Sequence, residues 1–217
     1  MKKVALIVAG GDGKRMNSDI PKQFLQLNKK PILLHTIKKF SHFDKIILVL
    51  PEKKIDYWNR LCQKFNFNEN YIVVKGGKNR FYSVKNGLEK VNEKSIVAIH
   101  DGVRPLVSKH LIDMLITQTK EKNGVIPVIP VKNSIRKVKG LNSIFINRDD
   151  LYQVQTPQCF ISSDIKDAYN QDFTKKFTDD AVVFEANGGK ISTILGEEIN
   201  LKITTIEDLK IANVFMQ

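Results

Sequence analysis

Cysteine is nearly absent. The chain of 217 residues has two, Cys62 and Cys159, with no CxxC pair and no Cys/His spacing, so neither a disulfide framework nor a zinc site is supported. The four histidines, His35, His42, His100 and His110, form no ligand pattern. No apolar run approaches the length that crosses a membrane. Met1-Lys2-Lys3 ahead of an apolar stretch has the outline of a signal peptide, but the apolar part ends by Ala9 and is too short. A cytoplasmic protein with no membrane partner is expected. Repeats, low-complexity tracts and linkers are missing too, which leaves one domain over 1–217 with ample core-forming sequence.

Arginine is also scarce. Of the 35 basic residues 29 are lysine, and arginine stands only at 15, 60, 80, 104, 136 and 148. The net charge of +12 points to nucleic acid, a membrane surface or phosphorylated ligands. The lysines are scattered, however, and neither interleaved aromatics nor a basic helix accompanies them, so nucleic acid is not an expected partner. The arginines are more telling, because planar bidentate donors suit phosphate. Arg15, Arg80, Arg104 and Arg148 fall in the motifs described below.

What is present is a loop. Leu6 to Phe24, LIVAGGDGKRMNSDIPKQF, runs from an apolar segment into three glycines within four positions, then Lys14-Arg15 and Pro21-Lys22. A strand that breaks into a glycine-rich turn exposes backbone N–H groups that bind anions. The spacing is not that of a Walker loop, since no Gly stands where the first is needed and Arg15 stands where a hydroxyl is. Nor is it a dinucleotide fingerprint, because Met16 replaces the third small residue. A polyphosphate cradle with Arg15 and Lys22 as fixed cations is the reading adopted. An ordinary strand-to-helix turn with solvated basic residues is the plainer alternative.

Along the chain, Val4–Ala9, Lys45–Leu50, Tyr71–Val74 and Ser95–His100 read as buried strands. Between them come helical segments: one opened by Pro31 with Leu33, Ile37 and Phe40 on one face, one from Pro51 to Phe65, and one over Ser83–Val91. Ser108 caps a further helix to about Lys120. This alternation predicts a doubly wound, mostly parallel α/β sheet, whose ligands sit outside the carboxyl ends of the strands. The glycine loop, Gly76-Gly77 and His100-Asp101 all fall there. Val125–Val131 carries two prolines and suggests an edge strand or an exit from the sheet. Residues 132–154 read as a projecting β-hairpin, either a plain surface feature or an arm packed on a second subunit. Thr178-Asp179-Asp180 begins a helix to about Ala186, Ile191–Leu195 and Leu201–Ile203 read as strands, and Thr205 caps a terminal helix.

Around the loop, Asp101 with Arg104 could hold a sugar hydroxyl, Mg²⁺ or a phosphate, or could simply rigidify a turn. Gly77-Lys78-Asn79-Arg80 with Ser83 could present amides, a guanidinium and a hydroxyl to a nucleotide. Lys202 is either solvated or aimed at the site, and Thr156-Pro157-Gln158 is a turn without evident chemistry. No Ser/His/Asp arrangement, metal cluster or separated carboxylate pair stands out. Nucleotidyl transfer to a phosphate monoester fits this lack, since the nucleophile is already ionised and no base is needed. Catalysis then rests on positioning and on cations, with Mg²⁺ held by substrate phosphates rather than by a protein cage.

As a set, VAGGDGKRM…PKQF, GGKNRFYSV, HDGVRP, LYQVQTPQCF, FTDDA and NLKITTIEDL resemble the 2-C-methyl-D-erythritol 4-phosphate cytidylyltransferases in order and spacing over nearly the whole chain. The resemblance implies a Rossmann-like fold of the nucleotide-diphospho-sugar transferase type and a homodimer held by the arm. It implies Mg²⁺-dependent reaction of CTP with methylerythritol phosphate, in non-mevalonate isoprenoid precursor synthesis. Carried over by motif, Arg15 and Lys22 stabilise the transition state, and Ala9, Gly10, Gly11 and Gly13 cradle CTP. Gly77, Ser83 and Gly102 bound its cytosine and ribose. Asp101, Arg104, Thr156, Thr178 and Lys202 surround the second substrate or the phosphates, and Arg148 reaches over from the partner's arm. Ser134 keeps the hydroxyl of a frequent Asp-Thr pair, whereas Asn133 loses its charge. Lys78 stands where an acidic residue is common, and Gly10 where alanine is. A ribitol-5-phosphate cytidylyltransferase shares several elements, but Gly102 and the double aspartate at 179–180 favour methylerythritol phosphate. A catalytically silent CTP-binding regulator should have lost Arg15 or Lys22, and both are present.

Overall fold

Successive side chains of a strand point to opposite faces, and in the first strand both faces are apolar. Val4 and Leu6 enter one core cluster, Ala5 and Ile7 another. A strand buried on both sides needs helices on both sides, which is the physical reason for a doubly wound fold. The computed structural model describes residues 1–11 and 20–216. Gly13 and Arg15 of the loop therefore lie outside the described residues.

In chain order the elements are β1 (Lys2–Val8), β2 (Gln26–Leu27), β3 (Lys30–Pro31), α1 (Ile32–Lys38), β4 (Lys45–Leu50), α2 (Ile55–Lys64), β5 (Ile72–Lys75), α3 (Arg80–Leu88), β6 (Ser95–Asp101) and α4 (Lys109–Gln118). There follow β7 (Asn123–Pro130), β8 (Ile135–Lys139), β9 (Asn142–Ile146), β10 (Tyr152–Val154), β11 (Gln158–Ile161), α5 (Ser162–Ala168), α6 (Asp180–Ala186), β12 (Lys190–Leu195) and α7 (Ile206–Phe215). Eight strands form one sheet in the order β10-β7-β11-β6-β1-β4-β5, with β12 also paired to β7. Pairings of β1 with β4 and β6, of β4 with β5 and of β12 with β7 are parallel; β10 and β11 run antiparallel to their neighbours. Helices α1, α2 and α4 cover one face through Leu33, Ile37, Trp58 and Leu115. On the other, α3, α5 and α6 pack through Phe81, Val84, Ile165 and Phe184.

Several expectations need correction. β7 is interior, not an edge, despite Pro127 and Pro130. Gln155 donates its N–H to the Pro127 carbonyl, and Pro127 falls opposite the break between β10 and β11, where no ladder donor is required of it. Strand β11 and helix α5 were not legible at all, because a four-residue apolar strand after Thr156-Pro157 lacks a periodicity of its own. Leu201–Ile203 forms no strand; the Ile203 N–H donates to the carbonyl of Val103, just past β6. Helix α3 starts at Arg80, three residues early, because Asn79 caps it by accepting from the Tyr82 N–H. Likewise Asp179, not Thr178, caps α6. Ser108 and Thr205 cap as expected, the latter in a capping box with Asp208.

The hairpin is real, but its ribbon spans only β8 and β9. Tyr152–Val154, at the end of the expected arm, pair with β7 in the main sheet. The two-residue turn uses Gly140 at φ +59, the left-handed region that glycine enters freely. Register puts Val138 and Phe145 on one face and Ile144 on the other, and their exposures are 67%, 65% and 60%. A two-stranded ribbon with apolar groups bare on both faces is marginal by itself.

Candidate active site

Three strand ends meet beside β1. Val8 stands opposite Asp101 in register and Leu50 opposite Lys75, so Ala9–Gly11, Asp101-Gly102 and Gly76-Gly77 leave the sheet at one level. The chain winds from β1 outward to β4 and β5, then returns to place β6 on the other side of β1. That reversal opens a crevice, the usual ligand position in such sheets. Here it is a cavity of about 330 Å³, within the range of small-molecule sites.

One wall is the start of the glycine loop. Ala9 donates its N–H to the Val49 carbonyl at 2.9 Å. The carbonyls of Ala9 and Gly11 both accept from Gln23 Nε2, at 2.9 and 3.3 Å. Gln23 belongs to a single 3₁₀ turn, Lys22–Phe24, in which Phe24 stacks on Trp58 of α2 at 5.9 Å and meets Tyr57 edge-on. Lys22, half-buried, lines the cavity.

The opposite wall is Gly76–Ser83. The Gly77 N–H donates to Ser83 Oγ at 3.1 Å, and that hydroxyl donates to the Asn79 carbonyl at 2.9 Å. A Cβ on Gly77 would come within 2.3 Å of Tyr82 Cβ, so only glycine fits the turn. Gly10 packs against the same Ser83 hydroxyl. Lys78 places its ammonium 4.4 Å from the Tyr82 ring centroid, so this departure from the expected acidic residue is held by a cation–π contact. Arg80 lines the cavity, yet its guanidinium makes a bidentate pair with the buried Asp180 of α6 at 2.7 and 2.6 Å. Asp180 also accepts from Tyr169 Oη at 2.5 Å. Burial works against the charge of Arg80, but Asp180 outweighs it and raises the pKa. Arg80 is thus first a strut between α3 and α6, and only its exposed edge is available to a ligand.

The floor carries the charge. Asp101 is buried and pairs with Lys202 Nζ at 3.0 Å and Arg104 Nε at 3.2 Å, while Arg104 Nη1 donates to the Asn200 carbonyl at 2.6 Å. Burial alone would raise the Asp101 pKa; Lys202, Arg80 and Arg104 together hold it well below the carboxylate range. Thr156 Oγ1 accepts from the Asp101 N–H and contacts His100 Nδ1, both at 3.0 Å. Its one proton is then given to Nδ1, which leaves His100 Nε2 protonated and donating to the Arg104 carbonyl at 3.0 Å. The Thr156 hydroxyl serves this network. Gly102 does not line the cavity; it lets β6 approach the loop, since a Cβ there would lie 2.8 Å from Ala9 Cβ.

A second lobe of about 100 Å³ shares Arg80, Asp101 and Lys202 with the first and adds Thr156 and Thr178. Nine expected residues, Ala9, Gly10, Gly11, Lys22, Gly77, Arg80, Ser83, Asp101 and Lys202, line the main cavity, and Arg104 reaches the second lobe. Ser134 and Arg148 lie exposed at the base of the arm and line neither lobe; Arg148 donates to the Lys132 carbonyl. Gln23 and Asp180 were missed. Their signals were present, Gln23 beside Lys22 in PKQF and Asp180 as the second of two aspartates. Among the described residues no cluster of three acidic, His or Cys side chains could hold a metal, and no helix is long and apolar enough to cross a membrane.

A cation-lined, two-lobed cavity at the switch point of a doubly wound sheet suits a phosphorylated ligand, and comparison with known proteins places the chain among the nucleotidyltransferases. The family model of 2-C-methyl-D-erythritol 4-phosphate cytidylyltransferase (IspD) matches residues 3–217. The enzyme of that name from Azobacteroides pseudotrichonymphae is 47% identical over 99% of both chains, and that of Bacteroides fragilis is 45% identical over 100% of both. Among solved structures, the IspD of Francisella tularensis superposes with a TM-score of 0.83 at 30% identity, over 99% of both chains. The 4-diphosphocytidyl-2C-methyl-D-erythritol synthase of Anaerococcus prevotii gives 0.81 at 30%, over 100% of this chain and 98% of that one. The chain belongs to the 2-C-methyl-D-erythritol 4-phosphate cytidylyltransferase family, and the ribitol phosphate alternative is not favoured.

Acid should weaken this floor. Burial lowers the His100 pKa from 6.5 to about 4, so the unfolded chain binds the proton more readily. The stability this gives is complete above the unfolded value and is lost as pH falls through 6.5 towards 4. That amounts to about 2 kcal/mol between pH 7 and pH 5. The depressed Asp101 pKa adds a loss in the same direction at lower pH. Urea unfolding from pH 7.5 to 5 should show the decline, and His100→Gln should flatten it; an equal slope in both proteins would contradict the assignment.

Proposed function

We propose that the main cavity holds CTP and that the second lobe receives 2-C-methyl-D-erythritol 4-phosphate, the two being joined where the lobes meet. The products are 4-diphosphocytidyl-2-C-methyl-D-erythritol and pyrophosphate, in isoprenoid precursor synthesis. The observation that carries the reading is the shared wall of Arg80, Asp101 and Lys202 between the lobes, combined with family membership over residues 3–217. A phosphate oxygen of the second substrate attacks the α-phosphorus of CTP. The new P–O bond forms as the bond to the β-phosphate oxygen breaks, and that electron pair leaves with pyrophosphate. The nucleophile is ionised at neutral pH, and no described side chain is needed as base. Lys22 offsets the charge that grows on the attacked phosphate, with Arg15 as its expected companion from the motif. The loop amides and the Gly77–Ser83 wall hold the nucleotide, and Lys202 faces both lobes.

The donor set suits Mg²⁺ held through substrate phosphates. Asp101 is the one carboxylate lining the main cavity among the described residues, and two cations already balance it. The ion keeps most of its shell from phosphate oxygens and water in such sites. When bound it offsets polyphosphate charge, and Asp101 is the side chain placed to meet it. The bare apolar faces of the β8–β9 ribbon support a homodimer in which the arm, with Arg148 and Ser134 near its base, completes the partner's second lobe. A cytoplasmic setting fits two free cysteines.

Pyrophosphate release from CTP should appear with methylerythritol phosphate and not with ribitol 5-phosphate; the reverse preference would overturn the reading. Lys22→Ala should lower kcat by roughly 10²–10³-fold while CTP affinity changes less, as for loss of one transition-state cation. A near-normal rate would refute that role. Mixing Lys22→Ala with Arg148→Ala subunits should restore one working site per mixed dimer, whereas a mixture as inactive as its components would argue against an arm reaching across.

A further inference from the structure

We propose that Gln23 is the positioning residue that fixes the phosphate-binding backbone relative to Lys22. The inference rests on the nucleotide site described above and extends it to a group whose side chain makes no bond to be broken or formed. Gln23 is 1% exposed, although it lines the cavity and sits beside a lysine. Its amide nitrogen donates to Ala9 O at 2.9 Å and Gly11 O at 3.3 Å.

Glutamine suits this task for a specific reason. An anion cradle needs backbone N–H groups free for the ligand, so the carbonyls between them must find partners elsewhere. A carboxamide nitrogen carries two protons, enough for two carbonyls at positions i and i+2. Glutamate, of the same shape, has no donor when ionised and would set a negative charge against two carbonyl oxygens and the polyphosphate. Aliphatic replacements leave both carbonyls without a donor.

The other end of the linkage is equally fixed. Gln23 lies between Lys22 and Phe24, and the turn closes with Phe24 N–H to Pro21 O at 2.9 Å and Leu25 N–H to Lys22 O at 3.1 Å. Phe24 is stacked on Trp58, whose Nε1 donates to Tyr71 Oη at 3.0 Å. Helix α2 thus anchors the turn, and Gln23 passes that anchorage to residues 9–11. Gln23 ties the turn that carries Lys22 to the start of the cradle. Misplacement of reacting groups by about 1 Å costs on the order of 100-fold in rate.

The test compares wild type with Gln23→Met, close in volume and without donors, and with Gln23→Glu. Wild-type turnover of CTP with methylerythritol phosphate is measured first; its absence would count against the proposed function and not against Gln23 alone. Given that turnover, Gln23→Met should keep a cooperative unfolding transition, weaken CTP binding in calorimetry roughly tenfold and lower kcat further. Gln23→Glu should be worse at pH 8 and recover in part by pH 6.5, where a carboxyl whose pKa burial has raised regains one donor; a purely structural role predicts that the unfolding transition, and not kcat of the folded protein, follows pH. Normal CTP affinity and kcat in Gln23→Met would overturn the proposal. Should that variant not fold, a flat pH profile of the Gln23→Glu deficit would overturn it as well.

Discussion

A single buried carboxylate organises the functional end of the molecule. Asp101 ends the central strand β6 and draws in Lys202 from the segment before α7 and Arg104 from the turn after β6. Its own backbone N–H is held by Thr156, from the segment between β10 and β11. Three parts of the chain far apart in sequence meet at this residue. A buried charge of this kind is stable only while its partners stay, and removal of one leaves an uncompensated ion. The same requirement that keeps the floor rigid also fixes Lys202 and Arg104 beside it.

Around this floor the remaining walls are built by different means. The Gly77–Ser83 wall is steric and hydrogen-bonded, since the turn admits no Cβ at Gly77 and is closed by the Ser83 hydroxyl. The loop wall is held by carbonyl capture through Gln23. The Arg80–Asp180 pair ties the α3 wall to α6, a hundred residues away in the chain. Each device leaves polar groups facing the cavity already oriented before a ligand enters, which lowers the reorganisation required during phosphoryl transfer.

Much of this was legible in the sequence where local chemistry decides. Lys45–Leu50 is a strand over the residues its apolar run marks, and the caps at Ser108 and Thr205 follow from side chains that satisfy the first helical N–H groups. Ala9–Gly11, Gly77 and Asp101 converge because strand ends in a parallel sheet lie on one side. What failed was non-local. Prolines in β7 argued for an edge, but the break in the neighbouring chain at Gln155–Pro157 accommodates Pro127 inside the sheet. Arg80 was expected to present its guanidinium to a nucleotide, and its pairing with Asp180 was invisible at a separation of 100 residues.

By itself the sequence determined the layered α/β class, the glycine-rich segment after the first strand and the motif set of a cytidylyltransferase, because these rest on periodicity, glycine placement and short-range spacing. Only the tertiary structure decided which cations remain available to a ligand and which are bound to buried carboxylates. It also showed that a glutamine beside Lys22 holds the carbonyls of Ala9 and Gly11. Hydrogen-bond and charge pairing across the sheet depend on distances in space, and those are set by packing rather than by order along the chain.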